Sequence, residues 1–184
     1  MSSDILHQLI KGRFKDHFIK WLTQYLHKTF GKSGAHEILK DIDRWLAAIP
    51  SFPGLQSFPD GRDFSQWMGD DFKALMKIII CAVNGHVPLK IVSCLSAFIE
   101  LCYIARKNMI TSVDLQQYDS LLIEYHEKRL VFLKKEVQIV VKKLSPSCQH
   151  ALGHFVESIH NFGAPNSTCS SITENKHIES VKEL

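Results

Sequence analysis

Nothing in the chain is long and apolar enough to cross a membrane as a helix. Its longest uninterrupted apolar run, Ile78 to Val83, falls far short of the roughly 20 residues a span requires. An uncharged apolar leader is also lacking, because Asp4, Lys11, Arg13 and Lys15 stand where one would lie, so no secretory peptide is expected. Cysteine is sparse and odd in number: Cys81, Cys94, Cys102, Cys148 and Cys169 include no Cys-x-x-Cys pair. This argues against a disulfide framework and against a zinc ribbon, and points to an intracellular, reducing setting with mostly buried thiols. There, Asn166-Ser167-Thr168 reads as a turn rather than a glycosylation site. Charge of one sign is missing as well. Against 22 Lys and Arg stand 19 Asp and Glu, and a net charge of +3 names no partner. Internal repeats and low-complexity tracts are absent, and the composition excludes disorder, collagen and a coiled-coil filament.

What remains is one domain's worth of helical periodicity. Ser3 or Asp4 can cap a first helix whose apolar residues Ile5, Leu6, Leu9, Ile10, Phe14, Phe18, Leu22 and Tyr25 recur at helical spacing. Gly31 offers a stop. The pattern resumes from Ser33 through Ile38, Leu39, Ile42, Trp45, Leu46 and Ile49 until Pro50 ends it, which predicts a helical hairpin over 1–49. Residues 50–69, with Pro53, Gly54, Pro59, Gly61 and three phenylalanines, predict an ordered loop. A bundle is expected over 70–162. Its helices are read at Asp70 to Val83, at Leu89 to Arg106, from a cap at Thr111 or Ser112 toward Leu144, and from Ser145-Pro146 to Phe162-Gly163. Val137 to Val141 is equally a strand or a helix tail. Residues 163–184 read as a loop and a terminal helix. The expected fold class is mainly α.

Few residues suggest chemistry. Gly31-Lys32-Ser33 ends like a phosphate-binding loop, yet Leu26 occupies the place of the required first glycine and a helix precedes it where a strand is needed. His150 and His154 are spaced to share a helix face, with Cys148 and Cys169 as further donors for zinc; the alternative is a pair of histidines that hydrogen-bond nearby backbone. Asp70 and Asp71 suit magnesium, but two acids in a first helical turn also suit the helix dipole, the preferred reading. Lys134, Lys135, Lys142 and Lys143 form short basic runs able to touch phosphate or simply to be solvated.

Several separated strings, in order, carry a resemblance. They are Asp4-Ile5-Leu6-His7-Gln8-Leu9-Ile10-Lys11-Gly12 with Phe14-Lys15-Asp16-His17, Phe52-Pro53-Gly54-Leu55, Gly69-Asp70-Asp71 with Lys73-Ala74-Leu75-Met76-Lys77, and Phe98 to Arg106. Near the C-terminus follow Phe162-Gly163-Ala164-Pro165-Asn166, Cys169-Ser170-Ser171-Ile172-Thr173-Glu174, Lys176-His177-Ile178 and Val181-Lys182. Together they resemble the C-terminal part of fungal Plavaka-type transposases, similar to the CACTA and Kyakuja-Dileera-Zisupton groups. The resemblance implies an RNase H-like enzyme in which three carboxylates hold Mg2+ or Mn2+ for attack on a DNA phosphodiester. It assigns Asp4 and Glu174 as vestigial catalytic and metal-binding acids, and the helical bulk between residues 20 and 160 as the family's insertion, with the central sheet largely absent.

The first acid of the triad has no counterpart in the sequence, and Val137 to Cys148, Glu179-Ser180 and the final Glu183-Leu184 depart from the family pattern. The expectation is a truncated, transposase-derived protein without activity or cofactor of its own, nuclear by resemblance. The alternative is a non-catalytic helical module that binds DNA or protein, with Lys134, Lys135, Lys142, Lys143, Lys176 and Lys182 as DNA contacts. Self-association is expected if the apolar stripe of the first helix lies exposed.

Overall fold

A computed structural model describes residues 14, 18–53, 55, 57–62, 69–132 and 152–164. Of these, 78% are helical and none lies in a strand, as the mainly α expectation requires. None of the described helices is long and apolar enough to span a membrane.

The first helix, α1 (Lys20–Ala48), is two helical halves joined at Gly31, whose φ of 71° and ψ of −179° interrupt the helix. That conformation is open almost only to glycine, which is why the break falls where the sequence places this residue. Ile49 is extended and Pro50 follows, so α1 ends at the expected point. Helix α2 (Gly69–Val83) places Asp70 and Asp71 in its first turn, as the dipole reading anticipates. A short turn through Gly85, at φ 90°, leads to α3 (Leu89–Ala105).

Lys90 and Glu100 are the only charged residues of α3, and ten of its residues are buried. A helix apolar nearly all round must be surrounded, and α3 is in contact with both α2 and α4. Helix α4 (Ser112–Lys128) begins at Thr111. The Asp114 amide donates to the Thr111 hydroxyl at 3.2 Å, and the Thr111 amide donates back to the Asp114 carboxylate at 2.8 Å. This reciprocal capping box selects Thr111 over Ser112 as the cap. The helix tightens into a 3-10 turn at Arg129–Phe132, short of Leu144. Helix α5 (Phe155–Phe162) ends at Gly163, at φ 79°.

Aromatic side chains tie these elements together. Phe18 stacks on Phe98 with ring centroids 5.7 Å apart and meets Phe132 edge-on at the same distance. Trp21 lies 5.2 Å from Phe132, and Phe98 lies 5.5 Å from Tyr125. Tyr118 of α4 stacks on Phe155 of α5 at 5.7 Å. The expectation of an exposed apolar stripe on the first helix is therefore corrected among the described residues. Phe14, Phe18, Leu22 and Tyr25 are all buried, and Phe98 of α3 and Phe132 of the 3-10 turn pack against Phe18.

In the 50–69 loop, Leu55 and Phe58 are buried while Phe52 is exposed. Asp43 pins this loop to the second half of α1. It accepts from the Arg62 backbone at 2.9 Å and from the guanidinium at 2.7 and 3.1 Å.

Candidate functional site

Helical spacing gives α1 two faces. The apolar face carries Trp21, Leu22, Tyr25 and Leu26 in the first half and Ala35, Ile42 and Leu46 in the second, all buried. Away from it, residues four apart read Lys20, Gln24, Lys28, Lys32, His36, Lys40 and Arg44, and every one is exposed. Side chains at i and i+4 lie one above the other on a helix, so each half presents a basic row. From Lys20 through His36 the sequence contains no acid.

The break at Gly31 shapes the middle of this face. Gln24, His27 and Lys28 from the first half and Lys32, Ser33 and His36 from the second line one open concavity of about 850 Å³. A side chain at Gly31 would point into open space, so nothing crowds the junction. Two lysines, two histidines, a glutamine and a serine thus line the concavity, with no acid among them. Such an arrangement attracts anions.

Acids appear only further along. Asp41 is engaged by Arg44 at 2.5 Å and by His86 Nε2 at 3.1 Å, and Asp43 by Arg62. These pairs engage Asp41 and Asp43 with the α2–α3 turn and the 57–62 loop, whereas Glu37, next to His36, is exposed.

The residues singled out in the sequence fall largely elsewhere. Asp4, Glu174, Lys134, Lys135, Lys142, Lys143, Lys176, Lys182 and His150 lie outside the described residues, as do Cys148 and Cys169. His154 is described, whereas its expected partner His150 is not, so the described residues bring the pair neither together nor apart. His154 stands at the N-cap of α5, ahead of the helix rather than within it, and its Nδ1 lies 3.1 Å from Glu157 Oε2. Among the described residues no three His, Cys, Asp or Glu gather closely enough to hold a metal ion. The basic row of α1 escaped the sequence reading because the helix was read for its apolar period alone. Lysines recurring at multiples of four on the opposite face are the signal that finds it.

No family model, curated protein or solved structure matches this chain.

Proposed function

We propose that this chain is a non-catalytic helical module that binds DNA through the basic outer face of α1, descended from the C-terminal part of a Plavaka-type transposase. The observation that carries the reading is the set of exposed cations Lys20, Lys28, Lys32, Lys40 and Arg44 on the two halves of α1, whose other faces are buried in the core. Net charge contributes little here; concentration of cations on one side matters, since phosphate contacts dominate nucleic-acid affinity. From Lys32 to Arg44 the helix runs about 18 Å at 1.5 Å per residue. A duplex of that length carries roughly ten phosphate charges, ample for the cations of the second half. The transposase descent rests on the ordered strings of the sequence.

The test is fluorescence anisotropy with a labelled duplex at rising salt. If about four phosphates are neutralised, log K should fall against log salt with a slope near −3.6. Charge reversal at Lys28, Lys32 and Lys40 together should flatten that slope and weaken binding. A salt-independent affinity, or one untouched by the reversal, removes the reading. Incubation of the chain with DNA and Mg2+ or Mn2+ tests the non-catalytic half. Cleavage or strand transfer abolished by Asp4→Ala or Glu174→Ala would restore an active enzyme.

A further inference from the structure

We propose that Asp41, Arg44 and His86 form a charge switch on the second half of α1 that strengthens DNA binding as the solution is acidified. The switch presupposes the DNA-binding reading and adds its regulation. Asp41 divides its two carboxylate oxygens between two partners. Its Oδ1 lies 2.5 Å from Nη2 of Arg44, three residues on in the same helix, and its Oδ2 lies 3.1 Å from Nε2 of His86, in the turn between α2 and α3. The Arg44 side chain is 77% exposed, while those of Asp41 and His86 are held back at 30% and 22%. The group that can meet a phosphate and the groups that set the net charge behind it are therefore different residues.

With His86 neutral, the Asp41 carboxylate cancels the Arg44 guanidinium, and the three groups together carry no net charge. With His86 protonated they carry one positive charge. Histidine is the side chain that makes this change between about pH 5 and pH 8. An exposed ion pair within one helix is weak, so a phosphate can draw Arg44 away from Asp41; what opposes the phosphate is the carboxylate left behind. A protonated His86 balances that carboxylate. Among the described residues, Asp41 is the one ion-pair partner of the His86 ring. Lys77 and Cys81 of α2 and Lys90 of α3 flank its turn in sequence, and none of them pairs with it. On α1, Asp43 is engaged by Arg62, and Glu37 and Lys40 are exposed.

The experiment measures binding of the full chain to a labelled duplex by anisotropy, over a range of salt, at about pH 7.5 and about pH 5.5, on either side of histidine titration. His27 and His36 are also exposed on α1 and titrate over the same range, so the readout is the affinity lost on Arg44→Gln at each pH, not the affinity itself. In the parent that loss should be about twofold at the higher pH, where Asp41 offsets Arg44. At the lower pH it should reach about tenfold, the equivalent of one charge-assisted contact. His86→Gln should hold the loss at its smaller value at both pH values, and Asp41→Asn should hold it at its larger value at both. Circular dichroism checks the fold of each variant. Because Arg44 is exposed, the comparison of the parent with Arg44→Gln decides the matter even if a change at Asp41 or His86 unfolds the chain. Salt-sensitive duplex binding in which Arg44→Gln costs the same at both pH values would overturn the switch and leave the DNA reading intact. A pH-dependent cost that persists unchanged in His86→Gln would assign the change to another histidine and overturn the switch likewise. Absence of salt-sensitive binding at either pH would overturn the DNA reading and the switch with it.

Discussion

Arg62 grips Asp43 across 19 residues of chain, with Nε 2.7 Å from Oδ1 and Nη2 3.1 Å from Oδ2. The backbone is drawn in as well. A Cβ on Gly61 would lie 2.4 Å from the Asp43 Cβ and 2.7 Å from its Cα, so the loop can approach only because Gly61 has no side chain and accepts a φ of 62°. Both side chains are partly buried, at 15% and 30% exposure, which limits screening by water. Arg62→Ala should cost about 2 kcal/mol, the loss of charge-assisted hydrogen bonds to a half-buried carboxylate. Gly61→Ala should cost more, since backbone must move. Urea denaturation of the two variants checks the order; a Gly61→Ala protein as stable as the parent would show that the loop does not dock this way.

Phe98 joins Phe18, just ahead of α1, to Tyr125 of α4 and is fully buried. Phe98→Ala should destabilise the chain by about 3–5 kcal/mol. For a domain of ordinary stability, about 5–15 kcal/mol, that approaches the whole margin. Thermal melting followed by circular dichroism measures it, and a loss under about 1 kcal/mol would be incompatible with a central Phe98.

The capping box at α4 is pH-sensitive. The Lys107 ammonium, 2.5 Å from Asp114, and the Thr111 amide and hydroxyl hold the Asp114 carboxyl down to about 2, from an ordinary value of 3.8. A carboxyl depressed on folding stabilises the native state fully above its unfolded pKa and loses that contribution as pH falls through the folded one. The contribution of Asp114 should therefore be intact at pH 5 and fade between about pH 4 and pH 2. Asp114→Asn should shallow the acid limb of the stability profile in that window. Thr111→Ala should cost about 1 kcal/mol at neutral pH. Identical acid limbs for parent and Asp114→Asn would count against the box.

Among the described cysteines, Cys81 is exposed while Cys94 and Cys102 are buried. Burial pushes the Cys94 thiol up to about 12, with Lys128 and Arg129 opposing only in part. At pH 8 its thiolate fraction would be about one in ten thousand. Iodoacetamide should label Cys81 in the native chain and reach Cys94 and Cys102 only in denaturant. Peptide mapping that finds native Cys94 alkylated as fast as Cys81 would contradict the packing of α3.

Much of the helical framework was legible because its signals are local. Thr111 three residues before Asp114, glycines at 31 and 163, Pro50 after Ile49 and a 3.6-residue apolar period each act through neighbours, and each does in the structure what its position predicts. The residues assigned by resemblance, Asp4 and Glu174 foremost, lie outside the described residues, whereas the basic row of α1 was present in the letters and overlooked in favour of the apolar stripe beneath it.

The sequence by itself determined where α1 breaks and placed the start of α4 to within one residue, at Thr111 or Ser112, because backbone conformation and capping depend on a few adjacent residues. Only the tertiary structure decided which surfaces meet. It set Phe18 against Phe98, Asp43 against Arg62 and the Tyr118 hydroxyl 3.4 Å from the Leu152 carbonyl, 34 residues away. Those choices follow from the summed burial of many apolar side chains distant in sequence, which no window of neighbours contains. The same burial, by committing one face of α1 to the core, leaves its lysines and histidines facing outward around Gly31.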